Sequence, residues 1–113
     1  MPQRDDKIGI HFGRISSECW DSLGNYPGAV VEDAVKLLDQ EIRSGRAIFY
    51  PATLRSGITK KLWLKPATVD LLNKISDQTG IRKTPLILAA LELYWATPEG
   101  DAEKHKRNPI TGR

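Results

Sequence analysis

The sequence predicts an α+β fold, mostly α, in which one chain carries two copies of a strand–helix–helix unit. Three observations favour this fold: an apolar helical stripe that recurs after a shift of 56 residues, a glycine four residues before the start of each stripe-bearing helix, and a short alternating stretch early in each half. Two such copies are expected to form a pseudo-twofold unit, with a two-stranded antiparallel ribbon and four helices around a shared core.

Composition narrows the class of protein before any motif is considered. The chain has 113 residues, 40% hydrophobic and 27% charged, which is ordinary for a globular domain. It contains no apolar run of the roughly 20 residues that span a bilayer, and no secretory signal, so a cytoplasmic location is expected. The single cysteine, Cys19, excludes an internal disulfide and a cysteine-based zinc site. The net charge of +3 mildly favours a polyanionic partner.

The clearest helix lies in the second half. Thr84 is the predicted N-cap, with Pro85 at the first helical position, where a missing N–H costs nothing. Pro98 disfavours helical backbone just before it, so the helix should end near Ala96. The positions that share one helical face are Leu86, Ile87, Ala90, Leu91 and Tyr94.

The same stripe occurs earlier in the chain with identical spacing. In this register Gly28 takes the place of Thr84 as the predicted N-cap, and Gly24 takes the place of Gly80. The stripe positions are Val30, Val31, Ala34, Val35 and Leu38. Five matched apolar positions and one matched glycine without a gap indicate a repeat.

A second, shorter helical pattern precedes each glycine. In the second half it carries Val69, Leu72 and Ile75 and ends at Gly80, which is predicted to be a left-handed C-cap. In the first half, Ser16 or Ser17 caps a helix with Cys19, Trp20 and Leu23 on it. We expect this helix to be about one turn shorter than its counterpart.

Each half begins with a stretch that alternates between apolar and polar residues. The first places Ile8, Ile10 and Phe12 on one face and Lys7, Gly9 and His11 on the other. The second places Leu62 and Leu64 on one face and Thr59, Lys61 and Trp63 on the other, and it ends at Pro66. A register shifted by one residue would bury Trp63 instead. We prefer Trp63 outward, because burying two leucines gains more than burying one tryptophan.

These patterns divide the chain into four segments. Residues 1–43 form the first repeat, 44–57 a linker, 58–98 the second repeat, and 99–113 a basic flexible tail, with both repeats in one domain. The linker carries Ile48, Phe49 and Tyr50, which we expect to pack onto the core. The tail is polar and contains the basic run Lys104-His105-Lys106-Arg107.

The segment from Leu62-Trp63-Leu64 through Gly80 to Thr84 and Ala90-Leu91 resembles the ribbon-helix-helix family, the Arc and MetJ class of DNA-binding proteins. The resemblance is good from Lys60 to Trp95 and weaker from Lys7 to Arg43. Two copies in one chain are similar to the tandem subset, which includes TraY-type relaxosome proteins and the VirC-type virulence protein that binds overdrive DNA beside a T-DNA border. The resemblance implies a monomer that acts as a pseudo-dimer on double-stranded DNA, and it leaves open whether several chains bind side by side.

The candidate DNA-contacting residues follow from this arrangement. A two-stranded ribbon fits the major groove, where only outward side chains reach base edges. The base-contacting candidates are Lys7, Gly9, His11, Thr59, Lys61 and Trp63, although Gly9 offers no side chain and an indole is unusual there. The start of each long helix can bind phosphate through its amides. The phosphate-contacting candidates are Gly28, Ala29, Arg82, Lys83 and Thr84.

Simpler interpretations of the same residues stay open. Lys61 and Lys65 also suit solvated charges that protect a strand edge, Arg82 and Lys83 suit ordinary loop charges, and His11 suits a surface histidine. Cys19 suits a small core residue, and the basic tail suits a solubilising role. The functional interpretation depends on these residues coming together once the repeat folds.

Three classes of function therefore compete. The first is sequence-selective DNA binding, either as an accessory factor in conjugative or T-DNA-type transfer, with a relaxase or other transfer proteins as partners, or as a transcriptional repressor and plasmid regulator. The second is a protein-interaction module with a basic docking arm. The third is an enzyme, which the sequence disfavours because it has two isolated histidines, one cysteine and no phosphate loop or nucleophile elbow. No cofactor or metal is expected.

Overall fold

A computed structural model describes residues 7–97 of the chain. Its order of elements is strand, helix, helix, repeated once: β1 (Ile8–Ile15), α1 (Ser17–Ser22), α2 (Pro27–Arg43), β2 (Ile58–Leu64), α3 (Pro66–Thr79) and α4 (Lys83–Trp95). The fold is thus α+β, with a two-stranded antiparallel sheet and four helices among the described residues, as predicted. Residues 1–6, Pro98 and the predicted basic tail lie outside the described residues.

The two strands pair with a register that joins the two halves of the chain. Ile8 lies opposite Leu64, Ile10 opposite Leu62, and Phe12 opposite Lys60. The register shifts by one residue between Phe12 and Ile15, where Ile15 lies opposite Ile58. β1 therefore contains a bulge, and it extends further along the chain than the alternating stretch that predicted it.

The bulge coincides with an unusual backbone conformation. Arg14 has φ of 60°, the only non-glycine positive φ among residues 7–97. Its carbonyl accepts a hydrogen bond from the Leu54 amide at 2.8 Å, which fixes the segment before β2 against the end of β1. An extra residue in a left-handed conformation re-aims the strand, so that Ile15 still enters the core.

In the first half, the beginning of each helix is defined by a different residue type. Ser16 is the N-cap of α1, because its side chain accepts a hydrogen bond from the Cys19 amide at 3.0 Å. α2 begins at Pro27, with Tyr26 as the N-cap residue. The prediction that Gly28 is the N-cap of this helix is therefore wrong, since proline can occupy the first position and its fixed φ suits the helix.

In the second half, α3 begins directly at Pro66 and ends at Gly80, whose φ of 76° confirms the left-handed C-cap. α4 begins at Lys83, with Arg82 in extended backbone as the N-cap residue and Ala96 as the C-cap. Thr84 is thus inside the first turn, and its prediction as the N-cap is wrong. Pro85 accordingly lies at the third helical position. An amide there has no acceptor within the helix, so proline costs no intrahelical hydrogen bond.

The first helices of the two halves, α1 and α3, differ in length more than predicted. α1 has 6 residues and α3 has 14, a difference of more than two helical turns. In the 56-residue register, residues 10–15 of β1 correspond to residues 66–71, which belong to α3. The expected difference of about one turn was therefore too small.

One core is shared by both halves. Phe12 and Ile15 of β1, and Leu62 and Leu64 of β2, have exposed fractions of 2% or less. α2 and α4 pack against each other more extensively than any other helix pair. Nine of the ten residues in the two predicted stripes are buried, and Tyr94 is partly buried against the core.

Two apolar predictions are only partly correct. Ile8, the first residue of β1, is 42% exposed although it lies opposite the fully buried Leu64. In the linker, Ile48 and Tyr50 pack against the core, whereas Phe49 is 75% exposed. Within residues 7–97, no helix is long and apolar enough to cross a bilayer.

Candidate nucleic-acid interface

One side of the ribbon points away from the core, and we call it the outer face: Lys7, Gly9, His11, Thr59, Lys61 and Trp63. His11 lies directly opposite Lys61, and Gly9 lies directly opposite Trp63. Lys7, His11, Thr59 and Lys61 are exposed, while Gly9 and Trp63 are partly exposed. The intervening Leu62 and Leu64 are fully buried, so the preferred orientation with Trp63 outward is confirmed and the shifted register is excluded.

The partial burial of Gly9 and Trp63 comes from neighbours on the same face. The Lys61 ammonium lies 5.1 Å from the centre of the Trp63 ring. A Cβ at position 9 would meet Lys61 Cε at 2.5 Å and Trp63 Cζ3 at 3.2 Å. Because Gly9 has no side chain, the Lys61 side chain can pass over this position and reach the Trp63 ring.

The start of α4 lies at one end of the ribbon. The Gly13 amide of β1 donates a hydrogen bond to Thr84 Oγ1, with a donor–acceptor distance of 3.4 Å. Arg82 is exposed, and Lys83 and Thr84 are partly exposed. The first turn of α4 thus combines exposed positive charge with the partial positive charge of a helix N-terminus.

The start of α2 lies at the other end of the ribbon. A Cβ on Gly28 would collide with the backbone carbonyl oxygen of Trp63, so only glycine allows this close approach. Glu32, 7% exposed, accepts a hydrogen bond from the Lys65 amide at 2.7 Å. Ala29 is exposed, and the N-cap residue Tyr26 is 70% exposed. This helix start presents amides but no basic side chain.

The six outer-face residues therefore lie between two helix N-termini. All five predicted phosphate-contacting residues belong to the first turns, or to the residue just before them, of α2 and α4. The antiparallel pairing puts the end of β1 at one end of the ribbon and the end of β2 at the other. The candidate residues from both halves thus belong to one ribbon and to the two helix starts that contact it.

Sequence reasoning missed four residues: three that shape this surface, and Lys60, which lies on the core-facing side of the ribbon opposite Phe12. Arg14 is an exposed cation at the bulge, and Gly13 leaves room for Thr59, since a Cβ there would lie 2.9 Å from Thr59 Oγ1. Lys60 places its ammonium 5.9 Å from the centre of the Trp20 ring. In the sequence, Glu32 looks like any surface glutamate. The one signal of its burial is that it directly follows Val31, a residue of the apolar stripe of α2.

Comparison of the chain with protein-family models, with curated proteins and with solved structures gives no match.

Proposed function

We propose that this protein binds double-stranded DNA sequence-selectively, with the outer face of its ribbon in the major groove. The observation that carries the proposal is the composition of that face. Among its six residues are two lysines, a histidine and a threonine, which can donate hydrogen bonds, and none is acidic. A two-stranded ribbon has the width to enter the major groove, where base edges differ in their donor and acceptor patterns.

The packing between helices and strands supports a tandem ribbon-helix-helix arrangement. α4 of the second half is joined to β1 of the first by the hydrogen bond between Gly13 and Thr84. α2 of the first half is joined to the residue that directly follows β2 in the second half, because the Lys65 amide donates a hydrogen bond to Glu32. Such a reciprocal exchange is expected when two copies of one unit intertwine around a twofold axis.

The glycine turns support the same arrangement. Gly24, after α1, has φ of 74°, and Gly80, after α3, has φ of 76°. The two residues occupy matching positions in the 56-residue register, and each precedes a helix that carries one copy of the apolar stripe. Two halves with the same element order and the same turn conformation are consistent with a duplicated unit.

The helix starts at the two ends of the ribbon supply a second set of contacts in this proposal. Phosphates along the walls of the groove would meet the first amides of α2 and α4, with Arg82 and Lys83 adding charge at the α4 end. Such contacts set the position of the protein and much of its affinity, while the outer face sets base preference. Because only the α4 end is basic, we expect the two half-sites to be bound with different strength.

For the biological role, we favour an accessory factor in conjugative or T-DNA-type DNA transfer, where a relaxase or another transfer protein would be the partner. This preference depends on the tandem arrangement, which resembles TraY-type and VirC-type proteins. A transcriptional repressor or plasmid regulator of the same fold is the alternative.

Selection of bound sequences from a random duplex pool, followed by titrations at two salt concentrations, tests the proposal. We expect a recurrent sequence and an affinity that falls steeply with salt. Arg82→Ala should weaken binding to all duplexes alike and reduce the salt slope by about 1. Lys36→Ala, which removes one exposed charge from α2, is the matched control and should change neither. Binding without a recurrent sequence, or no salt-dependent binding, would contradict the proposal.

A further inference from the structure

The outer face contains one position at which the absence of a side chain has a structural consequence. Gly9 lies directly opposite Trp63 and diagonally across from Lys61. Its φ is outside the left-handed region, so its backbone conformation does not require glycine. What the position does require is space, because Lys61 Cε is 2.5 Å and Lys61 Cδ 3.3 Å from where a Cβ would be.

The Lys61 side chain uses this space to reach the indole. Its ammonium lies 5.1 Å from the centre of the Trp63 ring, within the range of a cation–π interaction. Lys61 is paired directly with His11, yet its side chain extends diagonally toward Gly9, which leaves His11 exposed. The long, flexible lysine is therefore held on one side of the ribbon by an aromatic neighbour.

We propose that Gly9 is a specificity-determining position, which places the Lys61 ammonium on the Trp63 indole so that the two side chains read adjacent base pairs as one unit. The inference rests on the proposed DNA binding, and it adds the chemistry by which the protein would recognise two adjacent base pairs. The indole contacts the C5-methyl group of a thymine, and the ammonium donates to O6 or N7 of a neighbouring guanine. Gly9 touches no base and acts by positioning Lys61.

The first test needs no DNA. In the unmodified protein, the ring current of Trp63 should shift the Lys61 ε-methylene protons upfield in the NMR spectrum. Gly9→Ala should remove that shift and leave the melting temperature nearly unchanged, since the main collision is with the flexible end of a lysine. Gly13→Ala, on the same strand and facing Thr59, is the matched control and should keep the shift. An unfolded Gly9→Ala variant, or one that keeps the shift, would overturn the inference.

The second test measures base preference on the selected duplex and on duplexes changed at single positions. Gly9→Ala should lose about fivefold or more of the preference at the step that Lys61 and Trp63 contact, the low end for one good base contact. In a Lys61→Ala background, Gly9→Ala should have no further effect at the guanine of that step, because it acts through Lys61. Independent, multiplying effects of the two substitutions would contradict the positioning role.

The two tests also separate this inference from the proposal on which it rests. If the unmodified protein binds no DNA selectively, the proposed function fails, and the preference that Gly9 is proposed to control fails with it. If the protein binds selectively and Gly9→Ala leaves every base preference intact, only the inference about Gly9 fails.

Discussion

Adjacent side chains of β2 have opposite environments. Lys61 is exposed, whereas Leu62 and Leu64 on either side of Trp63 are fully buried. The cause is the two-residue period of a strand, which directs successive side chains to opposite faces. At this scale, folding and the proposed recognition of DNA therefore depend on different residues of one short segment, and single substitutions can separate them.

We expect Lys61→Ala and Leu64→Ala to have opposite effects. Lys61→Ala should leave the free energy of unfolding nearly unchanged and lose about 1–3 kcal/mol of discrimination at one base pair. Leu64→Ala should open a cavity and destabilise the fold by about 2–5 kcal/mol. Urea titrations and binding titrations on both variants measure the two quantities. Loss of folding in Lys61→Ala with intact folding in Leu64→Ala would show that the ribbon has the opposite orientation.

Residue-level predictions from sequence succeeded where a local rule decides and failed where a distant neighbour does. The alternation of β2 is local, and it oriented Lys61 and Trp63 correctly. The role of Gly9 depends on side chains of another strand, so the sequence could not reveal it. Thr84 looks like an N-cap before a proline, but the helix begins one residue earlier, and its hydroxyl instead accepts from Gly13, 71 residues away in sequence.

Whole elements are held in place by contacts that cross between the two halves of the chain. The Glu32 carboxylate, in the second turn of α2, accepts from the Lys65 amide at the junction of β2 and α3. The carboxylate is nearly buried, so the hydrogen bond is shielded from water. Gly28, one turn earlier, brings the same helix against the Trp63 carbonyl. Together these contacts fix the start of α2 relative to the ribbon.

We expect Glu32→Ala to destabilise the fold by about 1.5–3 kcal/mol, because it removes a charged acceptor and leaves the Lys65 amide without it. Glu32→Gln should cost less, since an amide oxygen still accepts. Asp33→Ala, at the exposed next position of α2, is the control and should change stability by less than about 0.5 kcal/mol. Chemical denaturation of the three variants provides the comparison. Equal stabilities for Glu32→Ala and Asp33→Ala would contradict a structural role for the Glu32–Lys65 contact.

The existence of elements was more predictable than their lengths. All six elements were expected, and the C-cap at Gly80 followed from the conformational freedom of glycine. A shorter α1 was expected, but not a difference of more than two turns from α3. The bulge at Arg14 was not expected either, because arginine carries no sequence signal for a positive φ. Arg14 is held there by tertiary contact with the Leu54 amide, which lies beyond the reach of a local pattern.

At the scale of the molecule, both strands of the ribbon and apolar faces from both halves belong to one chain. The core runs continuously from Phe12 to Leu91 and includes residues from β1, β2 and the three longer helices. Neither half could bury these side chains alone, since each supplies one strand and one side of the core. In this structure β1 pairs with β2 of the same chain, so the ribbon is complete without a second chain.

We therefore expect the free protein to be a monomer that folds in one cooperative step. Sedimentation without DNA should give the mass of a single chain, 12.6 kDa. The melting temperature should not depend on protein concentration, because a protein whose strands were supplied by two chains would gain stability by mass action as concentration rises. Melting curves recorded over a hundredfold range of protein concentration measure this dependence. A melting temperature that rises with concentration, together with a dimeric mass, would show that β1 and β2 pair between chains and would contradict the single-chain ribbon.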